Sequence, residues 1–195
     1  MQLHKRDVVD AATAILDNYG IADLTMRRLG RELNVSPGAL YWHFANKQQL
    51  LGAIADRILE PVGDVSGPWP ARIGGVCDRL RDALLSHTDG AELVSASFAA
   101  GQSEAMTAIV ARLADAAADA GVTGTNAELA ARTIVYYVLG FTADEQSRLQ
   151  WDAAGADLPD EQSVLADDAG GRFGFGLALL VDGISARQSA VGATE

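Results

Sequence analysis

The chain of 195 residues carries 15 basic and 26 acidic side chains, a formal net charge of −11, and is 49% apolar and 21% charged. That composition excludes wholesale disorder, and a chain of this length hides roughly 70% of its unfolded surface, enough for a sizeable core. A single cysteine, Cys77, excludes an intrachain disulfide and with it a disulfide-stapled secreted scaffold.

The hydrophobic periodicity is helical throughout and strand signals are almost absent, which predicts an all-α fold. Val8, Val9, Ala12, Ile15, Leu16 and Tyr19 form the stripe of a first helix that Gly20 stops. Thr25 stands at the N-cap of a short second helix, with Leu29 and Leu33 one turn apart, and Asn34 and Val35 break it. Ser36 caps a third helix and Pro37 takes its first position, where a missing N–H is harmless. That helix is predicted to run to about Phe44. Asn46 caps a fourth, with Leu50, Leu51, Ile54 and Ile58 in one stripe, ending near Pro61.

Residues 62–70 are rich in Gly and Pro and read as a linker. Helices are predicted at about 71–87, 91–101, 103–120 and 126–149. Residues 151–171 hold Asp152, Asp157, Asp160, Glu161, Asp167 and Asp168 with no base, and read as a long acidic loop. A last helix is predicted over about 172–188, with a frayed tail after Ser189. The stretch 133–143 is too short for the about 20 apolar residues of a membrane span, and Asp7 and Asp10 precede any apolar run. A cytoplasmic protein with no signal peptide and no membrane partner is expected.

The charge is unevenly spread. Residues 1–60 hold seven basic and seven acidic side chains, and the remainder holds eight basic and nineteen acidic. Residues 24–48 hold four basic side chains and one acidic. A locally basic head on an acidic body fits a nucleic-acid binder whose body stays off the polymer. Two short helices joined by a tight turn read as a helix-turn-helix over about 25–44. Leu40 and Phe44 are one turn apart and face inward, which leaves Pro37, Gly38, Ala39, Tyr41, Trp42 and His43 nearer the open side. Small residues at 38 and 39 let a helix enter a major groove deeply, and Pro37 or Ala39 can touch a thymine methyl. Arg27 or Arg28 can fork onto guanine O6 and N7 while the other binds phosphate, and Thr25, Tyr41 and Lys47 suit phosphate contacts. The competing reading makes the aromatics of this segment core. Phe44 is assigned to the core, and Trp42 stays open between the two.

Residues 24–51, with Leu40-Tyr41-Trp42-His43-Phe44, Asn46-Lys47 and Leu50-Leu51, resemble the DNA-binding segment of TetR-family transcriptional regulators. Residues 84–91, 139–146 and 173–177 resemble pieces of the C-terminal domain of the tetracycline repressor. The resemblance implies an all-α homodimer. Its head would span 1–46, a connecting helix and linker 47–68, and a ligand-binding and dimerisation domain 69–195. It implies DNA contacts from Thr25, Met26, Arg27, Arg28, Pro37, Gly38, Ala39, Tyr41, Trp42, His43 and Lys47. The tetracycline repressor has longer polar side chains where this chain has Pro37 and Ala39, so a different operator is expected.

The segment 134–142 is apolar nearly all round, and the last helix carries Phe173, Phe175, Leu177, Leu179, Leu180 and Ile184. Such helices want burial on more than one side. One reading is a thick monomer core. The other is an intermolecular four-helix bundle in which Gly140, Gly174, Gly176 and Gly183 permit close approach. A dimer places two reading helices about 34 Å apart, one DNA turn, on a palindromic site. From the residues alone the large apolar side chains of this region read as plain core; the resemblance implies instead a pocket for a small-molecule effector, lined by Val76, Leu80, Leu84, Val94, Phe98, Met106, Ile109, Leu113, Tyr137, Phe141, Glu145 and Gln146. The magnesium-binding histidine of the tetracycline repressor falls at Val94, a pocket asparagine at Val76 and a linker histidine near Gly63. An effector other than tetracycline, more apolar and metal-free, is therefore expected.

His4, His43 and His87 lack metal-ligand spacing, and one cysteine makes no zinc set. No phosphate loop or nucleophile elbow is present, and the glycines of 171–176 follow no strand. No metal, no cofactor and no enzyme are expected. The reading is a ligand-responsive regulator, a repressor released from a palindromic DNA operator by its effector. The alternative is a small-molecule-binding or interaction protein with a vestigial DNA-binding head.

Overall fold

Capping residues set the helix starts. Thr25 accepts a hydrogen bond from the Arg28 N–H, Ser36 from Ala39 and Asn46 from Gln49. In this computed structural model, which describes residues 3–155 and 169–192, every regular element among the described residues is helical. The helices are α1 (Lys5–Tyr19), α2 (Met26–Glu32), α3 (Pro37–Tyr41), α4 (Lys47–Leu59), α5 (Trp69–Leu85), α6 (Gly90–Ala99), α7 (Glu104–Asp119), α8 (Thr125–Ala153) and α9 (Ala169–Gly192). Short 3₁₀ turns span Ile21–Asp23 and Glu60–Val62.

The all-α expectation holds, and three helices depart from their expected bounds by three residues or more. The third helix stops at Tyr41 instead of Phe44, because the chain tightens there: the His43 and Phe44 N–H groups both reach the Leu40 carbonyl, at 2.9 and 3.0 Å. Helix α8 runs past 149 to Ala153, and Gly155 at φ 71° follows its end. Helix α9 begins at Ala169 and reaches Gly192, since neither Pro nor Gly occurs between 184 and 191 to stop it. Both ends of the expected acidic loop are thus helical. The rest of that loop, 156–168, lies outside the described residues.

The chain divides into two compact units. The first comprises Met1–Pro61 and Asp82–Thr107. In it α1 packs on α2 and α4, α2 on α3, and α4 on α6. Val8, Ile15, Leu16, Leu29, Leu40, Leu50 and Ile54 are buried there, as the stripes predict. The Asp89 carboxylate accepts the Ile21 N–H at 2.8 Å, and His87 Nδ1 lies 3.0 Å from the Asp17 carboxylate. One carboxylate oxygen of Asp56, on α4, accepts both the Ser103 hydroxyl (2.7 Å) and the Ala105 N–H (3.0 Å) at the start of α7.

The second unit comprises Val62–Arg81 and Ala108–Glu195. Helix α8 packs against α9. Ile73, Leu80, Ile109, Leu113, Ile134, Val138, Phe173 and Leu177 are buried in this unit. Arg112 reaches the Gly63 carbonyl and Arg72 pairs with Asp119, which fastens the loop before α5 and the first turn of α5. Cys77 is fully buried, and that burial, with Asp78 nearby, pushes its thiol up to about 12. A thiol held neutral in this way is a poor nucleophile and packs as a small apolar group.

Candidate nucleic-acid interface

The crossing of α2 and α3 depends on two positions, Asn34 in the turn and Gly30 within α2. Asn34 sits at φ 54°, in the left-handed region that Asn tolerates better than most residues. Gly30 is buried, and a Cβ there would lie 2.9 Å from the Val35 carbonyl oxygen. The Val35 N–H bonds back to the Gly30 carbonyl at 2.8 Å. The two helices therefore cross with backbone nearly against backbone. Sequence reasoning found the cap and the break but missed Gly30, whose role is visible only once α3 lies beside it.

Leu40 and Phe44 face inward and are buried, as expected. The opposite side of the segment is open. Pro37, Gly38 and Tyr41 are exposed, Ala39 and His43 are half-buried, and Trp42 is 90% exposed. That exposure removes Trp42 from the core. Thr25, Arg27 and Lys47 are exposed along the same stretch. The Thr25 oxygen accepts a backbone N–H, which leaves its hydroxyl hydrogen to donate. Met26 is buried and turned toward the core. Arg28 is half-buried and folded back along the chain: it pairs with Asp23, and its guanidinium lies 3.7 Å from the centre of the Tyr19 ring. Lys5, which the sequence did not single out, sits 5.6 Å over the Phe44 ring and adds a cation beside this segment.

The residues expected to line a pocket are divided between the units. Leu84, Val94, Phe98 and Met106 belong to the first, and Val76, Leu80, Ile109, Leu113, Tyr137, Phe141, Glu145 and Gln146 to the second. All are buried except Phe98, Tyr137 and Phe141, which are half-buried. In the second unit Tyr137 and Phe141 cluster on Phe173, with ring centres 5.6 and 5.4 Å from it. The Tyr137 hydroxyl donates to the Phe173 carbonyl at 2.7 Å, and burial pushes its phenol up from the ordinary value. Gly176 leaves room for that ring, since a Cβ there would strike it. Arg81 grips Glu145 with two hydrogen bonds, of 2.9 and 2.5 Å, and lies 5.2 Å from the centre of the Phe173 ring. The sequence reading missed Arg81, because its partner is 64 residues away and no local pattern joins them.

Residues 8–54 match the model of bacterial regulatory proteins of the tetR family, and residues 61–188 match that of the tetracyclin repressor-like C-terminal domain. The chain belongs to the TetR family. It is 33% identical to the tetracycline repressor protein class A from transposon 1721 of Escherichia coli, over 97% of this chain and 94% of that one. Among solved structures it is similar to BioQ of Mycobacterium smegmatis, with 62% identity, a TM-score of 0.88 and coverage of 95% of this chain and 99% of that one. BioQ has also been solved with its double-stranded DNA operator; that structure is 59% identical, has a TM-score of 0.83 and covers the same shares. This chain is thus a TetR-family regulator with a helix-turn-helix head and a helical C-terminal domain, and no described helix is long and apolar enough to cross a membrane.

The TetR-family resemblance raises the question of a magnesium-bound effector, and the residues do not fit one. Both carboxylate oxygens of Glu145 are engaged by Arg81. Val94 is a buried aliphatic residue. Among the described residues no group of three or more His, Cys, Asp or Glu side chains could hold a metal ion.

Proposed function

We propose that this chain is a homodimeric repressor that binds a palindromic double-stranded DNA operator in the cytoplasm and is released by a small-molecule effector. The observation that carries the DNA reading is the open face of α3 and its flank. Its small residues sit beside exposed Trp42, Arg27 and Lys47. Contacts come from Thr25, Arg27, Pro37, Gly38, Ala39, Tyr41, Trp42, His43 and Lys47. Residues 1–46 act as the DNA-binding head, 47–68 as connecting helix and linker, and 69–195 as the effector-binding and dimerisation domain. The operator complex of BioQ and the naming of the Escherichia coli relative as a tetracycline repressor support this reading. The engaged Glu145 argues for an effector that carries no metal.

The test is a titration of selected duplexes at several salt concentrations. Arg27→Ala is expected to cost about 1–3 kcal/mol and to relax one base position. Lys47→Ala is expected to weaken all duplexes alike and to reduce the salt slope by about one. Duplex binding that neither substitution changes refutes this assignment. Wild-type protein with no salt-sensitive binding to any palindrome favours the vestigial-head alternative instead.

The dimer reading rests on α8 and α9. Leu129 and Tyr136 on α8, and Phe175 and Leu179 on α9, are more than half exposed. Gly140, Gly174 and Gly183 have nothing within 4 Å of an added Cβ. Leu129 and Leu179 border an open cavity of about 530 Å³ between the start of α8 and α9. Apolar surface of this kind, arrayed on two packed helices, fits the same surface of a second copy. Leu179→Glu with Phe175→Glu is expected to yield monomers in sedimentation experiments at micromolar concentration. A dimer unchanged by this pair of charges contradicts the assignment.

Release requires the effector to prefer one dimer shape. A preference of about 1.4 kcal/mol changes operator affinity about tenfold, and useful switching needs a few times that energy.

A further inference from the structure

Two adjacent arginines open α2, and the structure treats them differently. Arg27 is exposed, and among the described residues it has no ion-pair partner. Arg28 is held in three ways. Its backbone N–H is bonded to the Thr25 hydroxyl oxygen at 3.1 Å. Its guanidinium pairs with Asp23, the last residue of the 3₁₀ turn Ile21–Asp23. The same planar group lies 3.7 Å from the centre of the ring of Tyr19, the last residue of α1. Its side chain keeps 24% of its exposure, whereas an arginine that reaches for a base needs its fork free.

We infer that Arg28 is a positioning residue that ties the end of α1 and the following turn to the start of α2, which leaves Arg27 as the arginine of this helix that meets DNA. The inference rests on the DNA-binding reading above. The geometry gives the reason for the division. Asp23 and Tyr19 lie on the chain just before α2, so a guanidinium fixed to both fixes the entry into the helix. The Thr25 cap orients the backbone, and the Arg28 side chain orients the preceding turn. Helix α2 in turn carries Gly30, against which α3 is packed. A loosened entry therefore misplaces α3 as a whole rather than one contact.

The division predicts distinct binding patterns. A base-reading arginine, once removed, erases the preference at one base pair and leaves the others intact. A positioning arginine weakens operator binding while every base-pair preference survives in its original order. The experiment measures wild type, Arg28→Ala, Arg28→Lys, Asp23→Asn and the Asp23→Asn/Arg28→Ala double variant against the operator, a panel of single-base-pair variants and an unrelated duplex. Arg28→Ala is expected to lower the operator-to-unrelated affinity ratio about threefold to tenfold with no single preference erased. Arg28→Lys keeps the charge beside Asp23 but not the planar stack, and is expected to fall between. Asp23→Asn is expected to lower the same ratio, and the double variant to be no worse than Arg28→Ala alone.

Loss of discrimination at one base pair in Arg28→Ala overturns the inference. So does a raised ratio in Asp23→Asn, the result expected if the carboxylate merely holds a base reader away. Thermal unfolding of the same four variants gives a readout independent of DNA: the Asp23 and Arg28 substitutions should be non-additive in Tm, and strict additivity overturns the inference. If wild type prefers no operator while those melting temperatures remain coupled, the DNA-binding reading fails and the clamp itself stands.

Discussion

Arg81→Ala is expected to destabilise the protein by about 2–4 kcal/mol, because it strands the Glu145 carboxylate in a site that holds both charges largely out of water. The two side chains retain 16% and 11% of their exposure. Part of the loss is electrostatic, and part comes from the contact with the Phe173 ring. The expected fall in Tm is about 5–15 °C for a chain of this size. The double variant Arg81→Leu/Glu145→Leu should recover most of that loss, since removing both charges leaves no orphan. Equal melting temperatures for wild type and Arg81→Ala would sink this account of the pair. A double variant as unstable as the sum of its parts would show that packing, not charge pairing, dominates.

Gly52→Ala is the second large effect. Glycine in the middle of α4 is intrinsically unfavourable, and Ala there should gain about 1 kcal/mol on helix propensity alone. The structure reverses that sign. A Cβ at Gly52 would run into the backbone carbonyl of Gln102, and the turn at 102 cannot retreat freely, because Asp56 ties Ser103 and Ala105 to the same helix. A net loss of about 2–4 kcal/mol is expected. Gly74, in α5, is the internal control: nothing lies within 4 Å of its added Cβ. Gly74→Ala should be neutral or stabilising by up to about 1 kcal/mol. Calorimetry of the two variants gives opposite shifts if close backbone approach is what Gly52 provides. Two shifts of the same sign would refute that explanation.

What the sequence shows and what it hides follow from range. Caps at Thr25, Ser36 and Asn46 act within three residues, and all three are made as read. The stripes of α1 and α4 repeat locally, so Val8, Ile15, Leu16, Leu50 and Ile54 were legible as core. Helix ends were less so. Trp42 continues a helical composition but lies beyond the last full turn of α3, and residues 150–153 extend α8 without any marker of a stop. For the candidate site, the inward Leu40 and the outward Tyr41 follow from spacing. The fate of Arg28 does not, since only the geometry of the Ile21–Asp23 turn brings Asp23 and Tyr19 to it. Gly30, Gly52 and Gly176 are ordinary glycines in the sequence, and their necessity comes from a neighbour 5 to 50 positions away. Arg81 is likewise one of several arginines until α8 presents Glu145.

Trp42 also equips the molecule with an optical reporter. An indole as open to water as this one emits at long wavelength; Trp69 is half-buried, and Trp151, more than half exposed, lies in the last turn of α8. A duplex seated on the 25–47 surface would change the emission of Trp42 directly, so unlabelled protein can report its own occupancy by fluorescence titration. Trp69→Phe/Trp151→Phe would isolate that signal while leaving the reading surface untouched.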